Sequence, residues 1–365
     1  MAQSEVDDLT RSTSLDPAMR DAVQAAYAVL LGRAPESEIV IEHHIANSTI
    51  AQMLHAIGAS AEFRGRVDRS SPFYHYNSQI DAEGIIRAHA RTDLRAESGF
   101  LTNFLGVRIN PKFLPSVLAG QSGQLDPVPI PANWHADIAE WAAALRAVDL
   151  AGPQFTMAEL GCGWGCWMNN TGVAARSAGR DVHLIGVEGD AGHIGFAREA
   201  LAANGFASEA VSLHRGVAAA QSGVALFGRQ DTAGEDWGLK PIFGADAAEQ
   251  ERLMATGRYE ALPMLPLAEV IGGRTLDLLH IDIQGGEADL VSDCLPVLDA
   301  HVAYLVIGTH SRPIEGRLFA DLLKAGWLLE IERPAIVTLT SEGPVTYVDG
   351  IQGWRNLRLR PLASA

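Results

Sequence analysis

Strands and helices alternate along the chain from residue 154 onward, and this alternation restricts the possible folds more than any other feature. Apolar runs of strand length occur at 155–160, 182–187, 211–214, 224–227, 276–283, 302–307, 327–331 and 345–348. Helices are predicted at about 166–178, 191–203, 287–295 and 315–325. Because strands that alternate with helices pair in parallel and are covered on both faces, the sequence predicts an α/β domain with a mostly parallel sheet.

The chain before residue 154 has a different pattern. Residues 16–68 predict a small all-helical domain, which begins at Asp16-Pro17, has a helix cap at Gly32 and continues with a helical stretch at 49–58. Residues 69–150 contain several prolines and predict a connector that ends in a capping helix begun by Asn133. We therefore predict three parts: 16–68, 69–150 and an α/β domain at 151–360.

Composition narrows the classes of partner. The chain has 365 residues and a formal net charge of −16, which disfavours nucleic acid as a partner. The N-terminus lacks the basic flank and apolar run of a signal peptide, and no apolar run has the length of a membrane span. With three cysteines that cannot all pair, these features predict a reduced, cytoplasmic protein.

A glycine-rich turn follows the first strand of the α/β domain. The residues Met157-Ala158-Glu159-Leu160 lead directly into Gly161, Gly163 and Gly165. Small residues allow a tight turn and a close approach to a ligand. The third glycine comes one residue too early for a dinucleotide fingerprint. Glu159 suits the positive charge of S-adenosylmethionine, so this turn predicts a site for that cofactor.

Two further strand ends are candidates for the same site. Glu188 ends the second strand, where a carboxylate accepts hydrogen bonds from ribose hydroxyls. Arg215 ends the third strand, beside the expected position of the adenine. Cys162 and Cys166 flank the glycine turn without the additional ligands that a zinc site needs, so we interpret them as small packing residues.

The block from Leu276 to Glu287 is the most specific in the sequence. Period-two alternation places His280 and Asp282 on one face of a strand, with Asp282 near its carboxyl end. Ligands of open α/β sheets bind beyond those ends. Gly285-Gly286 turns the chain, and Glu287 opens a helix.

This block resembles that of the FkbM-type methyltransferases, which carry Ile-Asp-Val-Glu-Gly-Ala-Glu where this chain has Ile281-Asp282-Ile283-Gln284-Gly285-Gly286-Glu287. The next strand is followed by Gly308-Thr309-His310, which keeps only the His of the family's Glu-x-His. The resemblance spans about 155–335. It implies a Rossmann-like class I methyltransferase that uses S-adenosylmethionine and methylates a hydroxyl of a glycan or a secondary metabolite.

Three side chains are the predicted catalytic residues. His310 follows a strand tip and is the expected base, because histidine titrates near neutral pH. Asp282 is expected to orient the acceptor or to receive the proton, and His280 to hydrogen-bond Asp282. Asp282 with Glu287 or His310 could also hold Mg²⁺, although no dense carboxylate cluster requires a metal.

Two other segments have predicted binding roles. Residues 228–268 are too long for an ordinary connector, and Trp237 and Phe243 there suit a lid over a sugar acceptor. Residues 16–68 weakly resemble phycobilisome-linker-like domains, through Tyr27-x-x-Leu30-Leu31-Gly32-Arg33 and Ser60-Ala61-Glu62-Phe63-Arg64. That resemblance implies docking to a protein partner or to a second copy of the chain.

The main hypothesis from the sequence is therefore an S-adenosylmethionine-dependent O-methyltransferase that acts on a sugar hydroxyl. One alternative is a catalytically silent α/β scaffold, which the loss of the family's Glu before His310 supports. Another is an NAD-dependent dehydrogenase on the same fold, which the early third glycine disfavours.

Overall fold

The computed structural model describes residues 17–64 and 71–362. The chain divides after Tyr74 into two compact units, Met1–Tyr74 and His75–Ala365. Residues 75–150, predicted as a connector, therefore belong to the same unit as the α/β domain. Asp16 and residues 65–70, on which the predicted start and end of the helical domain fall, lie outside the described residues.

The first unit is helical, as the sequence predicts. Its helices are Pro17–Ala26 (continued by a π-helical turn at Tyr27–Leu31), Glu38–Asn47 and Ile50–Gly58, with 3-10 turn Pro72–Tyr74, and residues 61–64 are also helical. Gly32 ends the first helix in the left-handed conformation, at φ 68°. Thr49 and Gln52 form a capping box at the third helix. Val23, Tyr27 and Met53 form part of the apolar core of this unit.

The second unit contains seventeen short and long strands in its described residues. They are β1 Asn77–Ser78, β2 Leu101–Thr102, β3 Arg108–Ile109, β4 Gln124–Leu125, β5 Gln154–Leu160, β6 Asp181–Glu188, β7 Val211–Arg215, β8 Val217–Ala219, β9 Gly223–Gly228, β10 Pro241–Ile242, β11 Tyr259–Pro266, β12 Leu278–Ile281, β13 Tyr304–Thr309, β14 Leu328–Arg333, β15 Ile336–Thr340, β16 Gly343–Val348 and β17 Gly350–Arg355. The predicted strand runs at 155–160, 182–187 and 302–307 coincide closely with β5, β6 and β13.

The α-helices of this unit cover the sheet and bracket the cavity described below. They are Ala82–His89, Pro115–Leu118, Ile138–Leu150, Cys166–Ser177, Ala191–Ala203, Ala247–Met254, Leu267–Ile271, Glu287–His301 and Arg312–Lys324. Short 3-10 turns occur at Pro111–Phe113 and Ser208–Ala210. None of the helices in the described ranges has the length and apolar character needed to cross a membrane.

The main sheet has eight strands in the order β1-β14-β17-β13-β12-β5-β6-β7. The five strands from β13 to β7 pair in parallel, and β17 runs antiparallel to both of its neighbours. From β5 the chain builds outward to β7 and then returns to place β12 on the other side of β5. The order therefore reverses between β5 and β12, which is where α/β sheets bind ligands. This confirms the Rossmann-like α/β fold.

Both faces of the sheet are buried, as a parallel sheet requires. Along β12, Leu278 packs into one apolar core and Leu279 into the other. The helices Ile138–Leu150 and Cys166–Ser177 cover the first face. Helices Glu287–His301 and Arg312–Lys324 cover the second face.

The structure corrects three predictions about local elements. The strand predicted at 345–348 is β16, which pairs with β15 in a separate hairpin, and β17 takes the place in the main sheet. The stretch 228–268 is not one long loop, because β10 and β11 form a second sheet with β8 and β9, and the helix Ala247–Met254 connects β10 to β11. Asn133 does not cap the helix before the sheet. Asp137 does, by accepting hydrogen bonds from the amides of Ala139 and Glu140.

Candidate active site

A cavity of about 940 Å³ opens at the carboxyl ends of β5, β6 and β12. Its wall also includes the segment that follows β7 and the loop between β9 and β10. The cavity lies at the switch point of the sheet, where the neighbouring loops leave in opposite directions. Small-molecule sites occupy roughly 300–1,000 Å³, so this cavity has room for a cofactor and an acceptor together.

The sequence-predicted residues divide into two groups by their position. Those that line the cavity are Glu159, Gly161, Gly163, Glu188, His280 and Asp282, together with the predicted lid residues Trp237 and Phe243. Those that do not line it are Gly165, Arg215, Glu287 and His310. The fold therefore brings the three predicted strand ends together, while some of the predicted side chains lie behind the cavity wall.

The glycine-rich turn has a backbone that only glycine adopts easily. Gly161, Gly163 and Gly165 have φ values of 74°, 51° and 74°. A β-carbon on Gly161 would lie 2.0 Å from the backbone oxygen of Asp282. Gly165 caps the helix Cys166–Ser177 instead of facing the cavity. Two of the three glycines thus leave the cavity floor free of side chains, and the third starts the helix.

Glu159 lies at the N-terminus of that helix. Its two carboxylate oxygens accept hydrogen bonds from the amides of Trp167 and Met168, at 3.1 and 3.0 Å. Only 3% of the residue is exposed, and burial raises the pKa of its carboxyl to about 7. A cation in the cavity would favour the ionised form, so Glu159 is placed to respond to the charge of a ligand.

Glu188 connects the end of β6 to the glycine turn. Its Oε2 accepts a hydrogen bond from the Gly163 amide at 2.9 Å, and its Oε1 accepts one from the Asp190 amide at 2.8 Å. Each carboxylate oxygen can accept a second bond, so these contacts are compatible with a ligand hydroxyl. Arg215, in contrast, donates to the Gly189 carbonyl and to Glu260, and only its neighbour Gly216 reaches the cavity.

Asp282 and His310 form an ion pair just beyond the ends of β12 and β13. Asp282 Oδ1 lies 3.3 Å from His310 Nε2 and accepts a hydrogen bond from Gln284 Nε2 at 3.1 Å. The side chain of Asp282 is 43% exposed, whereas that of His310 is 12% exposed. Burial acts to raise the pKa of Asp282, but His310 outweighs burial and the pKa lies below its ordinary value.

His310 has a second carboxylate neighbour behind Asp282. Its Nδ1 lies 3.0 Å from Oε1 of Glu287, whose side chain is fully buried. Burial acts to lower the pKa of His310, but the two carboxylates outweigh it and raise the pKa to about 10. Of the two residues predicted to handle the proton, only Asp282 lines the cavity. Asp282 faces the cavity, and His310 stands behind it.

His280 does not hydrogen-bond Asp282, contrary to the sequence-based expectation. Its Nε2 lies 3.0 Å from Oε1 of Glu140, which also accepts a hydrogen bond from Trp167 Nε1 at 3.0 Å. Burial acts to lower the pKa of His280, but the Glu140 carboxylate outweighs burial and raises it. Its Nδ1 is buried without a hydrogen-bond partner among the described residues.

Several cavity residues were not identified from the sequence, among them His135, Glu140 and Trp167. Glu140 lies in the first turn of a helix whose apolar stripe indicates only core packing, so its sequence context carries no signal of a site. His135 contacts the thiol of Cys166, and burial lowers the pKa of His135 to about 3. All three cysteines are unpaired and buried, as predicted, and Cys162 and Cys166 also border the cavity.

Trp237 covers part of the glycine turn. Its ring stacks on His193, with centroids 3.9 Å apart and planes inclined by 6°. A β-carbon on Gly163 would lie 2.7 Å from this ring. The loop between β9 and β10, at residues 229–240, therefore reaches over the cavity, where the sequence predicts a lid.

Comparison with known proteins identifies the family of this chain. No protein-family model matches it. A protein from Jannaschia sp. (strain CCS1), described as "Putative methyltransferase", is 46% identical over 269 residues, which cover 74% of this chain and 95% of the relative. The chain belongs to this family of methyltransferases. Because the chain belongs to a methyltransferase family, the alternative of an NAD-dependent dehydrogenase is not supported.

Solved structures of other methyltransferases are less similar to this methyltransferase than the Jannaschia protein is in sequence. The methyltransferase FkbM from Methylobacillus flagellatus KT is 10% identical with a TM-score of 0.35, and the match covers 59% of this chain and 54% of that one. Precorrin-6y C5,15-methyltransferase from Geobacter metallireducens GS-15 is 11% identical with a TM-score of 0.32, over 58% and 86% of the two chains. These scores are too low to bear on the acceptor or the reaction.

Proposed function

We propose that this methyltransferase uses S-adenosylmethionine to methylate a sugar hydroxyl of a glycan or a glycosylated metabolite. One observation carries the proposal: the glycine turn at Gly161 and the carboxylate of Asp282 border the same cavity. A cofactor on the turn and an acceptor at Asp282 would therefore meet within it. Bringing the two reactants together in this way supplies much of the catalysis in a displacement reaction.

The charge of the cavity favours a cationic cofactor. Seven carboxylates line it, namely Glu140, Glu159, Glu188, Asp236, Asp282, Asp289 and Asp293. Within the described part of the chain, Lys240 is the only Lys or Arg among the lining residues. Such a cavity attracts a ligand with sulfonium and ammonium charges and repels the pyrophosphate of a dinucleotide.

The residues of the glycine turn fit the same cofactor. Gly161 and Gly163 provide the bare backbone against which an amino-acid moiety can lie, and a β-carbon there would collide with the Asp282 carbonyl or with the Trp237 ring. Glu188 would accept hydrogen bonds from the ribose hydroxyls, and Glu159 would stabilise the positive charge. When bound, S-adenosylmethionine supplies an activated methyl group that is ready for in-line displacement.

Asp282 is the group that we place against the acceptor. Its contacts with His310 and Gln284 involve Oδ1, so Oδ2 remains to accept the hydroxyl proton. As the new carbon–oxygen bond forms and the carbon–sulfur bond breaks, the proton passes to Asp282. A positioned base contributes about 10²–10⁴-fold to such a step. His310 acts behind it as a positioning residue.

Two aromatic side chains support a sugar as the acceptor. Trp237 and Phe243 line the outer part of the cavity, and the Phe243 residue is 49% exposed. Flat aromatic faces bind the apolar faces of sugar rings, and the exposed position of Phe243 leaves its ring accessible. The acidic rim beside these rings provides acceptors for the remaining hydroxyls.

The test is transfer of a labelled methyl group. The full chain is incubated with methyl-labelled S-adenosylmethionine and one acceptor fraction in each reaction. The fractions are small metabolites, glycosides and polysaccharide from cell extract. We expect label in a saccharide fraction, and NMR of the product should show an O-methyl group. Label on nitrogen or carbon would overturn the proposed acceptor class. No transfer to any fraction would favour the silent scaffold.

A further inference from the structure

Three ligand-type side chains meet behind the cavity wall. Asp282 follows β12, Glu287 begins the helix Glu287–His301, and His310 follows β13. Each of them offers one nitrogen or oxygen atom, and these three atoms all lie within 4.8 Å of one another. Adjacent strand ends of a rigid sheet therefore fix the three groups in one small volume.

One buried oxygen in this cluster has no hydrogen-bond partner among the described residues. Glu287 is 0% exposed, and its Oε1 accepts hydrogen bonds from the amides of Ile283 and Gly285, at 3.1 and 2.9 Å. The same Oε1 lies 3.0 Å from Nδ1 of His310, whereas Oε2 of Glu287 has no partner. Buried polar atoms in native proteins are nearly always satisfied, so the free Oε2 indicates a missing ion or water.

The carboxylates of this cluster favour a bound cation. Asp349 adds a third carboxylate, with Oδ2 3.9 Å from His310 Nε2. Within the described ranges, His310 is the only basic side chain that forms an ion pair with Asp282 or Glu287. Glu287 is fully buried, whereas the side chains of Asp282 and Asp349 are 43% and 58% exposed. Three carboxylates beside one imidazole attract a cation, and the buried carboxylate of Glu287 is the most costly to leave without a counter-charge.

We propose that Asp282, Glu287 and His310 bind a divalent cation of the Mn²⁺ type. Carboxylate oxygens are ligands for Mg²⁺ and Mn²⁺, and an imidazole nitrogen favours a transition metal, so Mn²⁺ satisfies both. Three protein ligands leave open positions in an octahedral shell for water or an acceptor oxygen. The cluster is thus a metal centre that borders the cavity through Asp282.

The ion has a direct use in the proposed reaction. Since Asp282 lines the cavity, a hydroxyl that binds beside it could enter an open coordination position and be polarised there. This use rests on the proposed methyl transfer to a hydroxyl, whereas the binding of the ion does not. The two can therefore be tested separately.

The experiment is a Mn²⁺ titration of the full chain after treatment with EDTA, read by the EPR signal of free Mn²⁺. We expect one bound Mn²⁺ per chain. Glu287→Gln should weaken binding by at least about 10-fold, because it removes a ligand charge. Glu249→Gln, at an exposed carboxylate in the first turn of the helix Ala247–Met254, is the matched control and should bind as the parent does. A parent chain without a site, or equal affinity in Glu287→Gln, would overturn the proposal.

A second variant protects the test against misfolding of Glu287→Gln. Asp282→Asn alters a partly exposed ligand, so we expect it to fold, to bind S-adenosylmethionine and to bind Mn²⁺ at least about 10-fold more weakly. Unchanged Mn²⁺ affinity in this variant would also count against the site. Mn²⁺ binding without methyl transfer to any hydroxyl would leave the metal centre standing and refute the proposed reaction. Methyl transfer to a hydroxyl by a chain that binds no Mn²⁺ would support the proposed reaction and refute the metal centre.

Discussion

The backbone oxygen of Asp282 lies 2.0 Å from the point that a β-carbon on Gly161 would occupy. The two residues follow adjacent strands of the sheet, β5 and β12, and touch backbone to backbone. This contact joins the turn that would hold the cofactor to the carboxylate that would face the acceptor. The close approach of these two segments therefore requires a glycine at position 161.

Gly161→Ala should disrupt this contact. The added methyl group would collide with backbone, which cannot rotate away, and it would sit at a φ of 74° that side chains avoid. We expect affinity for S-adenosylmethionine to fall by at least about 10-fold, a change of roughly 1.4 kcal/mol. Isothermal titration calorimetry measures the affinity.

Gly179→Ala is the matched control for that variant. Gly179 has a φ of 75°, but a β-carbon there would meet no atom within 4 Å. It should cost about 1–2 kcal/mol in backbone strain and leave cofactor affinity unchanged. Equal loss of affinity in both variants would mean that backbone strain, and not the contact with Asp282, explains the result.

Asp282→Asn should separate catalysis from cofactor binding. The amide keeps the shape of the carboxylate but cannot accept the hydroxyl proton, so kcat should fall by about 10²–10⁴-fold. The glycine turn and Glu188 are untouched, so affinity for S-adenosylmethionine should change by less than about 3-fold. A variant that keeps full turnover on the true acceptor would exclude Asp282 as the base.

Glu159 should make cofactor binding depend on pH. Its pKa of about 7 in the free protein means that the carboxyl is half protonated near neutrality, and a bound sulfonium would favour the ionised form. Affinity for S-adenosylmethionine should therefore fall as the pH drops from 8 to 6, by up to roughly 10-fold. Glu159→Gln should flatten this profile, and a profile that persists in the variant would assign it to another group.

The same group affects stability with the opposite sign. Because burial raises the pKa of Glu159 above its ordinary value, the folded state favours the protonated carboxyl. Its contribution to stability is present below about pH 4.5 and is lost as the pH rises through about 7. Acidification through this window should thus stabilise the parent chain relative to Glu159→Gln while it weakens cofactor binding.

The sequence predicts the central sheet well because strand length, side-chain alternation and glycine-rich turns depend on residues that are close together in the chain. Strands β5, β6 and β13, and the carboxylates at Glu159, Glu188 and Asp282, follow from alternation and from strand ends alone. The parallel fold then places these ends together. The three carboxylates predicted from strand ends all line the cavity, whereas Arg215, also predicted from a strand end, does not.

Pairings between distant segments were not predictable in the same way. Glu140 contacts His280 across 140 positions of sequence, and Asp137 contacts Arg333 across 196. No local pattern indicates such partners. The exposure of Asp282 and of His310 also depends on how the two turns pack, so the sequence does not show that Asp282 faces the cavity and that His310 lies behind it.

Asp137 provides the last prediction, because it caps a helix whose cap the sequence places at Asn133 and also pairs with a buried arginine. Its Oδ1 caps the helix Ile138–Leu150 through the amides of Ala139 and Glu140, and its Oδ2 pairs with Arg333. Both side chains are almost fully buried, at 4% and 3% exposure. Asp137→Ala removes the cap and the carboxylate that neutralises Arg333, so unfolding free energy should fall by about 3–5 kcal/mol.

Asn133→Ala distinguishes this cap from the one that the sequence suggests. The Oδ1 of Asn133 accepts hydrogen bonds from the amides of His135 and Ala136 in a turn before the helix, without a buried charge. Its removal should cost only about 1–2 kcal/mol. Urea unfolding followed by tryptophan fluorescence gives both values. Equal stability losses in the two variants would place the helix start at Asn133 after all.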